Sequence, residues 1–283
     1  EYTYRSAVVI SSVWPLAGAS EGGTPVTLTG RGFSSAAEAA GQMWCRFNAT
    51  VSRAAYVSET EAVCNTTQSA AGLVSVEAST NGRDFSSGGV QFEFVTAAVA
   101  SLSPWSGPAL GGTVVTLGGS GLSTLEALQC RFGGESAVWA SAHGVLGALC
   151  VSPGVGGTGW VSVELLSHSE VLRSGGSFYV HSVLWVSTVL PSSGPVSGGT
   201  RLAVIGSGFR EAATMRCRME ESSGTAVARV VSDGQLECTA PAASGEGVRV
   251  VEVSMNGQQY SSSGVEYTYR SAVVISSVWP LAG

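Results

Sequence analysis

Short stretches in which apolar and polar residues alternate recur along the whole chain, broken every few residues by glycine or proline clusters. Val26-Thr27-Leu28-Thr29, Cys45-Arg46-Phe47, Gln91-Phe92-Glu93-Phe94 and Glu266-Tyr267-Thr268-Tyr269 each turn every second side chain to one face. That is the period of a half-buried strand. No apolar run approaches the roughly 18–20 residues that a membrane-spanning helix needs. The pattern predicts many short strands joined by tight turns, and few helices.

The strands come in a repeating order. Residues 1–18 (EYTYRSAVVISSVWPLAG) recur unchanged at 266–283, a period of 265 residues. The stretch reads as the last strand of one domain, with Tyr2 and Tyr4 alternating. It runs into the first strand of the next at Val8, Val9 and Ile10, closed by turn residues Pro15 and Gly18. Within the period, Gly-Gly-Thr occurs at Gly22, Gly111 and Gly198. Each copy follows a proline (Pro15, Pro104, Pro191) and a glycine three residues after that proline (Gly18, Gly107, Gly194). An alternating strand and a glycine corner come next, ending at Phe33, Leu122 and Phe209. Then come Cys45-Arg46-Phe47, Cys130-Arg131-Phe132 and Cys217-Arg218-Met219, each followed by a second cysteine at Cys64, Cys150 and Cys238. Asn81-Gly82 and Asn256-Gly257 are hairpin signals before the closing strands; the middle repeat has Ser167-His168-Ser169 there. Extra residues from Ala36 to Gly41 in the first repeat predict a longer loop or one helical turn.

Roughly seven short strands per repeat is the signature of an Ig-like β-sandwich, without the Cys…Trp…Cys spacing of antibody domains. The order Pro-x-x-Gly, Gly-Gly-Thr, Gly-x-Gly-Phe, Cys-x-Phe, Cys and Asn-Gly resembles the IPT/TIG family of Ig-like domains, three times over. The resemblance implies an all-β chain of tandem sandwiches. Its expected boundaries are 1–6 (closing strand of a preceding copy), 7–96, 97–183 and 184–270 (three IPT/TIG-like repeats), and 271–283 (opening strand of a further copy). Members of this family serve as stalks or ligand-contact modules of cell-surface receptors, as accessory domains of carbohydrate-active enzymes, and as DNA-binding domains of transcription factors.

The six cysteines fall two per repeat. Fifteen pairings exist in principle, but equivalent placement predicts Cys45–Cys64, Cys130–Cys150 and Cys217–Cys238. The alternative is three pairs of buried thiols in a reducing compartment. Even count and even distribution favour an oxidising one. The sequons Asn48-Ala49-Thr50 and Asn65-Thr66-Thr67 agree with it. With Cys45, Phe47 and Cys64 pointing inward, Asn48 and Asn65 point outward, so two N-glycans are expected close to one bridge. The chain starts at Glu1 without a leader-like segment and reads as an excerpt or a mature form.

Composition narrows the function. All fourteen basic residues are arginine, and the net charge is −6, which argues against a nucleic-acid partner dominated by phosphate contacts. Arg46, Arg131, Arg216 and Arg218 form no visible stripe. His143, His168 and His181, expected in a loop, a turn and a strand end, have no acidic or cysteine neighbour at metal-ligand or triad spacing and read as surface or edge histidines. Asp84 and Asp233 are the only aspartates, too few for a calcium cage. Glu220-Glu221 reads as a solvated turn. Gly154, Gly156 and Gly159 form a Gly-x-Gly-x-x-Gly, but a strand rather than a helix comes after it, so it is a loop and not a phosphate cradle. No catalytic residue, cofactor site or metal site is expected.

Linkers between repeats, such as Val95 to Ala98, are short and lack the Gly/Ser composition of flexible spacers. The sandwiches are therefore expected to stack as a stiff, elongated rod, with Trp14, Trp105 and Trp185 near the joints. The resulting expectation is an extracellular, glycosylated structural protein. Its unit would join further copies of itself, head to tail and through lateral contacts, in a filament or cell-surface appendage such as a flagellar hair. The alternative is a receptor- or adhesin-like ectodomain that binds protein or carbohydrate.

Overall fold

The computed structural model describes residues 7–143, 147–168, 170–220, 224–271, 276, 277 and 279. The expectation for the end strand 1–6 lies outside the described residues, as does most of that for 271–283 and that for Glu221.

In the first repeat the strands are β1 (Val9–Trp14), β2 (Ala17–Ala19), β3 (Pro25–Arg31), β4 (Trp44–Phe47), β5 (Thr50–Ser58), β6 (Glu61–Asn65), β7 (Gly72–Ser79) and β8 (Gln91–Val95). Their order is β1-β3-β6-β5-β4-β7-β8-β2. Strand β5 makes the sandwich: its first half pairs with β4 and its second half with β6. Alternation decides which side chains enter the core. Cys45, Phe47, Val26, Leu28, Phe92 and Phe94 are buried, and Phe47, Phe92 and Phe94 meet edge to face. The extra residues after the glycine corner form a five-residue helix α1 (Ser35–Ala39). Ser34 caps it by accepting from the Ala37 N–H at 3.3 Å.

The middle repeat comprises β9 (Ala98–Ser103), β10 (Ser106–Pro108), β11 (Val114–Ser120), β12 (Leu128–Phe132), β13 (Val138–His143), β14 (Gly147–Val151), β15 (Gly159–Ser167) and β16 (Glu170–His181). The third comprises β17 (Trp185–Leu190), β18 (Ser193–Pro195), β19 (Arg201–Ser207), β20 (Arg216–Met219), β21 (Thr225–Val227), β22 (Arg229–Ser232), β23 (Gln235–Thr239), β24 (Gly247–Ser254) and β25 (Glu266–Arg270). Here the switching strand is split. β21 pairs with β20 in one sheet and β22 with β23 in the other.

The glycine corner has a steric cause. In each repeat the opening strand bulges where it meets the next long strand. A Cβ at Gly30, Gly119 or Gly206 would overlap the backbone oxygen of Val9, Ala98 or Trp185. Two residues on, Gly32, Gly121 and Gly208 have φ of 87°, 71° and 84°, which glycine adopts without penalty.

The chain divides into two compact units. One is Glu1–Ser103, Val115–Pro153 and Val161–Phe178; the other is Pro104–Val114, Gly154–Trp160 and Tyr179–Gly283. The second unit therefore holds the third repeat together with short segments of the middle one.

Candidate interaction surfaces

Cys45 is bridged to Cys64, Cys130 to Cys150 and Cys217 to Cys238, with Cα atoms 6.3, 6.2 and 6.5 Å apart. In each repeat the bridge links the two strands that flank the switching strand, and so ties one sheet to the other. The arginine after each first cysteine points to the outer face and has a fixed partner. Its Nε donates to a glutamate directly opposite: Arg46 to Glu77 at 2.6 Å, Arg131 to Glu164 at 2.7 Å and Arg218 to Glu252 at 2.6 Å. These half-exposed pairs are cross-strand fasteners, each contributing on the order of 0.2–1 kcal/mol. Arg46 also lies over the Phe85 ring and Arg218 over the Tyr260 ring, 4.3 and 3.9 Å from their centroids. Sequence reasoning missed the glutamates, although each stands four residues before the hairpin turn (Asn81, His168, Asn256).

In the second unit, the loop after β24 forms a built joint with the segment Ser106–Val114. Asn256 is 6% exposed. Its Nδ2 donates to the Ser106 carbonyl at 3.1 Å and to Thr113 Oγ1 at 3.2 Å. Gln258 behaves like a strand edge: its Oε1 accepts from the Val114 N–H and its Nε2 donates to the Val114 carbonyl, both at 2.8 Å. Gln259 accepts from Thr113 Oγ1 and donates to the Gly112 carbonyl. Beside them Trp105 stacks on Trp160 at 5.6 Å, both rings meet Tyr179, and Arg210 covers Tyr179 at 4.4 Å. Trp105 packs on the third repeat's core.

The three tryptophans expected near joints occupy three different positions. Trp105 is half-buried in this cluster, whereas Trp14 and Trp185 are 64% and 55% exposed. Trp14 precedes its proline, Trp105 comes after its own, and Trp185 begins its strand. The strand parity of β1 and β17 turns the Trp14 and Trp185 side chains outward.

In the first unit an open groove of about 460 Å³ is lined by Gly23, Pro25, Asn65, Gln129, Trp139 and His168, among others. Asn65 is exposed at the end of β6, and Asn48 is exposed in the β4–β5 turn with φ of 52°. Trp139 is 70% exposed. His168, at φ 49°, hydrogen-bonds Ser167 Oγ. Burial lowers its pKa from the ordinary histidine value, and Glu126 partly offsets this.

His181 lies at a strand end, the last residue of β16, but is buried rather than at the surface. It is 6% exposed, its Nδ1 lies 2.7 Å from the Ser182 carbonyl, and burial lowers its pKa. The His143 side chain lies outside the described residues. Gly154 to Gly159 form the loop into β15. Among the described residues no group of three or more His, Cys, Asp or Glu could hold a metal ion, and no helix is long and apolar enough to cross a membrane.

The chain is 26% identical over 249 residues to Plexin-A3 of Homo sapiens, covering 82% of this chain and 13% of that protein. It is 24% identical over 242 residues to Plexin A3 of Danio rerio, again covering 82% and 13%. Among solved structures, the full extracellular region of Plexin A4 superposes with a TM-score of 0.53 at 19% identity, covering 88% of this chain and 23% of that one. The chain thus spans about an eighth of the curated relatives it matches. The three bridges are the kind that forms and persists in an oxidising compartment. The IPT/TIG domain model matches residues 8–94, 97–180 and 184–269, and the chain belongs to the IPT/TIG domain family.

Proposed function

We propose that this chain is one period of an extracellular structural glycoprotein. Its three-domain unit, with boundaries 7–96, 97–183 and 184–270, recurs every 265 residues and joins end to end in a filament or cell-surface appendage. The observation that carries the reading is how the repeated eighteen residues are used. The Glu266–Arg270 copy of EYTYR is β25, the closing strand of the third repeat, with Tyr267 and Tyr269 buried. The Val9–Trp14 copy of VISSVW is β1, the opening strand of the first repeat. Each half of the motif has a place in a sandwich. The motif is therefore a natural seam, with residues 1–6 closing a preceding third repeat and 271–283 opening a following first repeat.

The mechanism is mechanical. Bridged sheets, cross-strand Arg–Glu pairs and short linkers resist extension, and no step of chemistry is required. N-glycans on Asn48 and Asn65 would shield the first repeat, and both side chains are exposed. The deciding experiment measures the length of the native protein and images it. Many near-identical 265-residue copies in a regular fibre are expected; a single copy refutes the reading. Mass spectrometry that finds both asparagines unmodified refutes the glycan part alone.

A receptor- or adhesin-like ectodomain is the second reading, favoured by the likeness to plexin extracellular regions and by the open groove carrying Trp139. A single copy beside a distinct head domain, with saturable binding of a protein or carbohydrate, would support it.

A further inference from the structure

The first and third repeats carry the same loop in two situations. Ser79–Ser86 and Ser254–Ser261 align without a gap, and their internal hydrogen bonds match. Asn81 Oδ1 accepts from the N–H groups of Arg83 and Asp84 at 2.9 and 2.8 Å; Asn256 Oδ1 accepts from Gln258 and Gln259 at 2.9 and 3.1 Å. The Gly82 and Gly257 N–H groups donate to the hydroxyls of Ser79 and Ser254. Asn81 Nδ2 donates to Asp84 at 2.8 Å, as Asn256 Nδ2 does to Gln259 at 2.7 Å. The next residue is aromatic in both loops, and Phe85 or Tyr260 sits under the repeat's arginine. Yet Asn256 is buried against Ser106–Val114, whereas Asn81, Gly82, Arg83 and Asp84 are all exposed. The first repeat thus presents the same pre-formed loop with its four tip residues exposed.

The receiving edge is duplicated too. Ser106, Gly112, Thr113 and Val114 correspond to Ser193, Gly199, Thr200 and Arg201 in the third repeat. Thr113 is 0% exposed beneath the docked loop. Thr200 and Ser193 are half-exposed, and Gly199 and Arg201 are exposed. Loop and edge are therefore both uncovered at opposite termini of the period.

We infer that the Asn81–Asp84 loop docks on the Ser193–Arg201 edge of a second copy of this chain, as the Asn256 loop docks on Ser106–Val114. The inference rests on the reading that periods succeed one another. Carried over contact by contact, Asn81 Nδ2 donates to the Ser193 carbonyl and to Thr200 Oγ1. The Asp84 carboxylate takes the place of Gln259 as acceptor from the Thr200 hydroxyl. At this joint Asp84, in the place of Gln259 on the loop, and Arg201, in the place of Val114 on the edge, carry opposite charges, whereas Arg83 has the same sign as Arg201. Arg83, in the place of Gln258, keeps the donor to the backbone carbonyl at position 201. The two joints thereby differ in kind, amide to backbone in one and charge-assisted in the other, which gives each loop a preferred edge.

The test uses a two-period chain, residues 1–283 continued by residues 19–283, beside the one-period chain at dilute concentration. Asp84 is labelled with a carbodiimide and an amine, and the peptides are read by mass spectrometry. Glu77, already paired with Arg46, serves as the internal reference. Asp84 labels fully in the one-period chain. In the two-period chain one of its two copies is covered, so labelling falls by half. Arg201→Asp in the first copy, made together with Arg83→Gln so that only the Asp84 charge faces it, restores full labelling. Equal labelling of the one-period and two-period chains overturns the inference, and so does half-labelling that persists after Arg201→Asp with Arg83→Gln. A native protein with a single period would refute the filament reading while leaving this outcome readable, so the two failures are distinct.

Discussion

Truncating the two equivalent asparagines separates what the loop does for itself from what the joint does. Asn81→Ala and Asn256→Ala remove the same intra-loop bonds. In each loop, two backbone N–H groups lose their Oδ1 acceptor. Neither asparagine has positive φ, so alanine adds no backbone strain. At about 1 kcal/mol net per hydrogen bond, the shared cost is about 2 kcal/mol. Asn256 loses more, because its Nδ2 also bonds the Ser106 carbonyl and Thr113 Oγ1 in a buried site. Two further bonds, with their acceptors left buried, add about 2 kcal/mol. A global melt of three domains cannot assign such costs. Hydrogen exchange at individual amides can, because it reads local openings. Amides in β24 of Asn256→Ala should speed up by roughly thirtyfold more than amides in β7 of Asn81→Ala. Equal acceleration in the two loops would refute the argument, since the joint bonds would then contribute nothing net.

Removing a bridge by Cys130→Ala with Cys150→Ala reopens a loop of 20 residues. It should cost the middle repeat about 3 kcal/mol in the chain-entropy account, seen as a lower urea midpoint. A midpoint unchanged from the oxidised protein would contradict it. His181 has its pKa lowered by burial, so the unfolded chain takes up a proton first as pH falls. Its contribution is complete above the ordinary histidine value and is lost as pH drops below it. His168 shifts in the same direction, so the Tm of His181→Gln should fall less steeply than wild type from neutrality to about pH 5 without becoming flat. An identical slope would remove His181 from the explanation. Tyr269 has its pKa pushed up to about 12, by burial first and Tyr267 second. Its contribution is complete below the ordinary tyrosine value and lost as pH rises through about 12. Tyr269→Phe should abolish the latest phase of an alkaline absorbance titration. It should also cost about 1 kcal/mol for the lost bond to the Pro241 carbonyl.

The fold was legible because its determinants are local. Alternation named the core residues of β3, β4 and β8, and punctuation named the turns. The glycine corner was visible as a motif but not as a cause. Its first glycine is required by the backbone oxygen of a strand some twenty residues away, and no local pattern carries that. The Arg–Glu pairs were hidden for the same reason. Arg46 and Glu77 are 31 residues apart in the chain and become neighbours only through the register of β4 on β7. His181 does end its strand, β16, but is buried there, because a residue at a strand end can still be covered by neighbouring chain.

Loop length ties these observations to the surfaces. Where the hairpin carries Asn-Gly and two long polar residues, as at Asn256–Gln259, the loop reaches the neighbouring Gly-Gly-Thr edge and saturates its backbone. In the middle repeat the turn at that place is shorter, at Ser167-His168. Within the first unit the equivalent edge, Gly23 to Pro25, is faced by the groove that His168 lines together with Gln129 and Trp139. Thr24, the counterpart of the satisfied Thr113, has a buried hydroxyl with no hydrogen-bond partner among the described residues. One scaffold thus yields a sealed joint or an open one by the choice of a single hairpin. The open joint leaves Trp139 and Asn65 in a shared groove, and so the middle repeat, whose motifs depart furthest from the family pattern, is where a ligand of the receptor-like reading should be sought.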